Sequence, residues 1–199
     1  MGSRQVALCG SVILWLMAAA IWLITGAQAS GKSTVAEALA SRFARGVHVR
    51  GGQFYRWAVR GWVHFDDRDR AEEARRLLDL RYRLSGIVAD EYAAAGFTTV
   101  VQDNIYGSDV EEWITRVNSR PVHLVVLRPT VKVLERRHEE RRKANGKVAY
   151  RAGYSAADND RDLATTRADL GLWLDTSTRS VEETVDDILA RAAEAVVAP

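Results

Sequence analysis

Cysteine is almost missing from this 199-residue chain: Cys9 is the one example, which excludes an internal disulfide framework and a cysteine-rich zinc site. That scarcity fits a reducing compartment. Histidine is also sparse. His48, His64, His123 and His138 never fall at an H-x-x-x-H spacing, so no histidine-based metal site is expected. Charge of one sign is lacking as well, and a formal +2 is too mild for a nucleic-acid binder. No [NT]-K-x-D stretch occurs, which argues against a guanine-reading switch, and there is no repeat and no linker. With 47% apolar and 27% charged residues the chain reads as one ordered domain with a substantial core.

One long hydrophobic run is present. Residues 6–25 carry no charge over twenty positions, enough to span a bilayer, and Ala27-Gln28-Ala29 resembles a signal-peptidase site. A stronger motif claims the end of that run. Gly26-Ala27-Gln28-Ala29-Ser30-Gly31-Lys32-Ser33-Thr34 matches G-x-x-x-x-G-K-[ST], with an apolar strand before it and an apolar-periodic run to Phe43 after it, the context a phosphate-binding P-loop requires. The glycines let backbone N–H groups close on phosphate oxygens, and the helix that follows offers its positive end. Lys32 then supplies a point charge at the β- and γ-phosphates, and Ser33 a hydroxyl for Mg²⁺. Ala20 to Thr25 is therefore assigned to a buried central strand, which leaves residues 1–19 as an apolar extension too short to cross a membrane, with Met17 an alternative start. Residues 20–199 form the single expected domain, and a cytoplasmic location without membrane attachment is expected.

Strand and helix patterns alternate along the rest of the chain. Val35, Leu39 and Phe43 give the first helix an apolar stripe, with Gly46 placed to end it, and Val47 to Val49 reads as a second strand. An aromatic-rich stretch from Phe54 to Phe65 follows. Arg50, Phe54, Trp57 and Arg60 are its candidate substrate-binding residues, since pockets beside phosphates are mostly apolar with a few placed polar groups. A long helix is expected from Asp67 to Ala95, with Leu77, Leu80, Leu84, Ile87, Val88 and Tyr92 inward. A third strand, Phe97 to Gln102, delivers Asp103 to the edge of the sheet that carries the P-loop, where a carboxylate orders Mg²⁺ or its water. Helical residues 111–117 precede strand four, Pro121 to Leu127, in which His123 is expected to be a packed histidine.

Lys132 to Arg151 holds eight Lys or Arg against three Glu, a local +5. On a helix from Val131 to Lys143 these arginines form a candidate lid over the γ-phosphate. Arg136 and Arg137, nearest the strand end, rank first as catalytic residues beside Lys32 and Asp103; Arg141 and Arg142 follow. Another helical run lies near Asp158 to Ala168. Leu170 to Ser177 is strand five with its exit turn, and Val181 to Val197 a last helix with Val185, Ile188, Leu189, Ala192 and Val196 inward. The alternation predicts a three-layer α/β/α sandwich around a five-stranded parallel sheet, with ligands beyond the carboxyl ends of the strands.

From about residue 19 to the end the chain resembles the small P-loop kinases grouped with chloramphenicol phosphotransferase, zeta-toxin-type kinases, gluconate and shikimate kinases, and phosphotransferase-like ATPases of that set. The P-loop, Arg50 to Phe54, Val101-Gln102-Asp103, the arginine-bearing segment and Gly171 to Ser177 carry the resemblance. It implies a nucleoside-monophosphate-kinase-like fold, ATP with Mg²⁺ and a small-molecule acceptor. Gly26 to Thr34 would then cradle the phosphates, Ser33 and Asp103 lie near the metal, and Asp175 and Thr176 lie near the adenine. One departure stands out. Members of the group carry Gly-Asp after strand two, where the carboxylate orients or deprotonates the acceptor hydroxyl, and this chain has Gly51-Gly52.

Overall fold

A computed structural model describes residues 19–65, 67–146 and 154–197. The expected extension lies outside them except for Ala19, as do Asp66 and the segment 147–153 that joins the basic helix to the next one. Among the described residues no helix is long and apolar enough to cross a membrane.

Five parallel strands build the sheet: β1 (Ile21–Gly26), β2 (Gly46–Arg50), β3 (Thr98–Gln102), β4 (Val122–Leu127) and β5 (Leu172–Leu174), in the spatial order β2-β3-β1-β4-β5. β1 and β4 are buried at every position, as expected of central strands covered on both faces. Side-chain alternation along β1 divides the core. Ile21 and Leu23 join Val101, Leu124, Tyr82 and Trp113 on one face; Trp22 and Ile24 join Val35, Leu39, Val125 and Ile188 on the other. His123 is buried, its ring stacked on Trp22 at 3.9 Å, so it is a packed histidine.

The helices are α1 (Lys32–Ala40), α2 (Gly52–Trp57), α3 (Ala71–Ala94), α4 (Ser108–Arg116), α5 (Val131–Asn145), α6 (Ala156–Leu163), α7 (Val181–Ala190) and the short α8 (Ala192–Ala195). Several depart from expectation. α1 stops at Ala40 and not near Phe43, and Gly46 belongs to β2: a Cβ there would lie 1.8 Å from the Ala40 carbonyl oxygen, so the glycine allows the strand to start against the helix end. The last helix breaks at Arg191, and a two-residue β6 (Val196–Val197) pairs antiparallel with the start of β4, which buries Val197 and turns Val196 outward.

α3 corrects the expected inward face. Its buried side chains are Ala74, Tyr82, Ser85, Gly86, Ala89 and Ala93, whereas Ile87 and Tyr92 are exposed and Leu77 and Leu80 only half-buried. Leu84 and Val88 pack against the core as expected, and Ser85 and Gly86 are small because α4 and its end come close. A Cβ on Gly86 would sit 3.2 Å from Val117, and the Trp113 indole N–H donates to Ser85 Oγ at 2.9 Å.

Candidate active site

Because the five strands run parallel, their carboxyl ends share one edge, and β1 sits where the strand order reverses between β3 and β4, the position at which α/β sheets bind ligands. The loop after β1 is wound as a nest. Gly26, Ala29 and Gly31 all have positive φ, at 148°, 67° and 99°, and a Cβ on Gly26 would fall 2.3 Å from the Leu127 carbonyl oxygen. Thr25 fastens the start of the loop to the β3 exit by donating its hydroxyl to the Ile105 carbonyl at 2.7 Å.

Lys32 is 6% exposed, and its Nζ donates to the carbonyls of Gly26 and Ala27, both at 2.7 Å. Burial, then the positive charges of Arg141 and Arg81, pull its pKa down to about 7. Ser33 Oγ donates to Gln102 Oε1 at 2.9 Å. Lys32 and Ser33 line a cavity of about 270 Å³ with Gln28, Gln102, Asn104 and Arg141. The nest, the buried ammonium and this cavity fit a triphosphate tail. Ser33 and Gln102 offer oxygens to Mg²⁺, which commonly keeps several waters and relies on substrate phosphates.

Asp103 is placed differently from expectation. It is fully buried, both carboxylate oxygens engage Arg81, with Arg81 Nε at 3.0 Å from Oδ2, and it does not line the phosphate cavity. Its neighbours in sequence, Gln102 and Asn104, do. The carboxylate instead lies beneath the β2 exit, where a Cβ on Gly51 would come within 1.9 Å of it.

On the α5 side a second cavity, about 480 Å³, is lined by Ala29, Gly31, Thr34, Arg137, Arg141 and Thr176. Arg137 bridges the P-loop to the β5 exit turn, donating to the Ser30 carbonyl at 3.2 Å and the Thr176 carbonyl at 2.9 Å. Arg136, ranked beside it from sequence, points to solvent near Glu140, and Arg142 pairs with Glu139. Of the α5 arginines, Arg137 and Arg141 are the ones on the site, one helical turn apart, and Arg179 lines the same cavity from the β5–α7 turn. That i,i+4 spacing was the available signal. Thr176 is buried in the cavity wall, while Asp175 is exposed and accepts from the Ser177 amide and hydroxyl.

The third cavity, about 490 Å³, opens on the other side of the P-loop between α2, α3 and α6. Tyr55, Trp62, His64, Phe65, Tyr82 and Tyr154 form much of its wall. None of the four expected substrate-binding residues lines it. Phe54 is buried in the core, Trp57 is 67% exposed, Arg60 is exposed, and Arg50 pairs with Glu37 at 3.0 Å. The aromatic stretch does supply the pocket, but through residues 55 and 62–65, because α2 turns Phe54 inward and its helical neighbour Tyr55 toward the cavity. Gly52 is on the wall too, and a Cβ there would meet nothing within 4 Å.

Asn159 joins this cavity to the P-loop and went unnoticed in the sequence, where nothing distinguishes it from other helical polar residues. It is 2% exposed, its Oδ1 accepts from the Gln28 amide at 2.6 Å, and its Nδ2 donates to Tyr106 Oη and Tyr154 Oη. Tyr106 Oη in turn donates to the Gly26 carbonyl at 3.0 Å.

The three cavities share walls. Gln28 and Asn104 border both the phosphate and the aromatic cavity; Ala29, Gly31, Thr34 and Arg141 border both the phosphate and the α5-side cavity. The sequence profile of a family described as AAA domain matches residues 21–159, well over half of the chain. The chain belongs to that AAA-domain family. No curated protein matches it significantly. Solved structures share its fold. A sugar kinase from Janibacter sp. HTCC2649 is 18% identical, with a TM-score of 0.62 over 89% of this chain and 96% of the other. The shikimate kinase of Acinetobacter baumannii, in complex with shikimate, is 16% identical with a TM-score of 0.59, covering 92% and 97%. The APS kinase of Mycobacterium tuberculosis, in complex with AMPPNP and APS, is 18% identical with a TM-score of 0.58, covering 88% and 98%. This AAA-domain chain thus has the α/β P-loop NTPase fold of small P-loop kinases.

Proposed function

We propose that the protein is an ATP-dependent phosphotransferase that phosphorylates a hydroxyl of a small molecule, an antibiotic or a metabolite. The observation that carries this reading is the joined row of three cavities with the P-loop at its centre. The cavity beside Arg137 and Thr176 takes the nucleoside. Gly26 to Thr34 cradle the phosphates, and the aromatic cavity presents the acceptor. When bound, Mg²⁺ held by Ser33 and Gln102 oxygens neutralises charge on the β- and γ-phosphates.

The residues of the chain position and stabilise. On nucleotide binding, Lys32 Nζ exchanges the two backbone carbonyls for phosphate oxygens. Arg137 and Arg141 close from the α5 side and offset charge developing in transfer. The acceptor oxygen bonds to the γ-phosphorus as the bond to the β–γ bridging oxygen breaks, and ADP leaves with that electron pair. The hydroxyl proton goes to water or to Asp162, a lining carboxylate that accepts a hydrogen bond from Tyr154 and from no arginine among the described residues. Asp103 is a positioning residue in this scheme, because Arg81 occupies its carboxylate.

One observation favours a second reading, a nucleotide-binding regulator with little transfer activity: position 52 faces the acceptor cavity and carries no carboxylate. Phosphoryl transfer relies mainly on positioning and charge stabilisation, and general-base help is worth about 10²- to 10⁴-fold, so loss of that group leaves room for a slow kinase. Thermal-shift titration with ATP and Mg²⁺, followed by a transfer screen over hydroxylated compounds, separates the two. Binding with transfer supports the kinase; binding with only slow hydrolysis supports the regulator. Absence of nucleotide binding contradicts both.

A further inference from the structure

The walls of the aromatic cavity carry information on the acceptor. Rings follow one another along one side: Tyr55 to Trp62 at 5.1 Å, Trp62 to His64 at 5.2 Å, His64 to Phe65 at 4.5 Å and Phe65 to Tyr154 at 6.5 Å between centroids. Leu78 and Tyr82 face them from α3. The tyrosine hydroxyls are largely occupied elsewhere: Tyr82 donates to the Asn104 carbonyl, Tyr106 to the Gly26 carbonyl and Tyr154 to Asp162. Ring surface therefore dominates what a ligand meets. Two polar groups on the wall are different, and the Tyr55 hydroxyl, buried with no hydrogen-bond partner among the described residues, is one of them. The Trp62 indole N–H is buried and has no hydrogen-bond partner among the described residues, a cost that an acceptor atom on a ligand removes.

Charge on the same walls is equally informative. Arg81, the one arginine among the described lining residues, is locked on Asp103 with its guanidinium over the Tyr55 ring. Asp109 is held by Arg75 through both oxygens, at 2.6 and 2.7 Å. Among the described lining residues no arginine or lysine is left to receive an anion, and Asp162 adds a carboxylate.

We propose that the cavity selects a flat aromatic alcohol without negative charge, which slides between the ring wall and α3 and presents a hydrogen-bond acceptor to the Trp62 N–H. The alcohol end faces the P-loop through Gln28 and Asn104, the residues shared with the phosphate cavity. The class of acceptor rests on the phosphotransferase reading, whereas the preference for rings over saturated or anionic analogues is a property of the cavity alone.

Three matched probes test it by titration calorimetry on the full chain, with and without ADP and Mg²⁺: 4-(hydroxymethyl)benzamide, its cyclohexane counterpart, and 4-(hydroxymethyl)benzoate. The benzamide is expected to bind about tenfold tighter than the cyclohexane probe, the size of one good ring contact, and about tenfold tighter than the benzoate, whose carboxylate meets Asp162 and no free arginine or lysine among the described lining residues. Trp62→Leu should abolish the preference over the cyclohexane probe and leave the discrimination against the benzoate, whereas Trp62→Phe should keep the preference for the ring and lose a few-fold in affinity through the missing N–H. Equal or reversed affinities, tighter binding of the benzoate, or no binding of the benzamide would overturn the inference. The nucleotide arm reports separately. A ring preference in a protein that does not bind ADP sinks the phosphotransferase reading and leaves the selectivity of the cavity standing.

Discussion

If Lys32 meets the phosphates as proposed, nucleotide binding should be a proton-uptake reaction. Without ligand, burial and the neighbouring arginines hold its pKa at about 7, while its ammonium group has only two carbonyls to serve. Phosphate oxygens beside the same nitrogen favour the charged form and raise the pKa again. The protonated fraction of the free protein falls from about one half at pH 7 to about one in a hundred at pH 9, so affinity for a triphosphate should drop about 50-fold over that interval. Calorimetry with a non-hydrolysable ATP analogue, in paired buffers of different ionisation heat, reads the coupled proton directly. Measured above about pH 7.5, where the nucleotide phosphates are already ionised, uptake should approach one proton per site. In Lys32→Arg it should vanish, because a guanidinium does not titrate there. The unliganded fold reports the opposite sign. A lysine whose folded pKa lies below its unfolded value binds more protons when unfolded, so this group makes stability rise with pH between about 7 and 10.5. Affinity independent of pH between 7 and 9, or proton uptake unchanged in Lys32→Arg, would refute the placement of Lys32 on the phosphates.

Restoring a carboxylate at position 52 is expected to raise turnover tenfold or more on an acceptor found by the transfer screen, since the site faces the cavity and has room for a side chain; an unchanged or lower rate places the missing base elsewhere. Arg137→Ala should lower kcat about 10²-fold through lost charge stabilisation, whereas Arg136→Ala should leave steady-state kinetics within twofold, and similar losses in both would contradict the assignment of Arg137 to the site. Asp103→Ala leaves Arg81 charged and buried, so it should cost about 3–5 kcal/mol in denaturant unfolding, while the double variant with Arg81→Met recovers much of that. A loss below 1 kcal/mol would show that the pair is not buried as described.

The parts of the fold that were legible in the sequence share one trait: their patterns arise from burial on both sides. β1 and β4 read as mostly apolar runs, and the P-loop spelling marked the sheet edge that carries the three cavities. α3 misled in part: Tyr82, Leu84 and Val88 do pack inward, but Ile87 and Tyr92 are exposed, and close approach of α4 selects serine and glycine at positions 85 and 86. Adjacent arginines misled in the same way, for Arg136 and Arg137 lie about 100° apart around α5 and only one of them can reach the P-loop. Asp103 read as a metal-ordering carboxylate from its place at the end of β3; what sequence spacing does not reveal is that Arg81, 22 residues upstream on α3, reaches it first. The walls of the aromatic cavity depended on how α2 and the loop after it turn, which no periodicity encodes.

A crystal structure with an ATP analogue and Mg²⁺ tests the central claim most directly. The account predicts the triphosphate wrapped by the amides of residues 26–34, with Lys32 Nζ drawn off the Gly26 and Ala27 carbonyls onto the β- and γ-phosphates. A nucleotide bound elsewhere, or a P-loop in which Lys32 still holds its two carbonyls at saturating analogue, would contradict it.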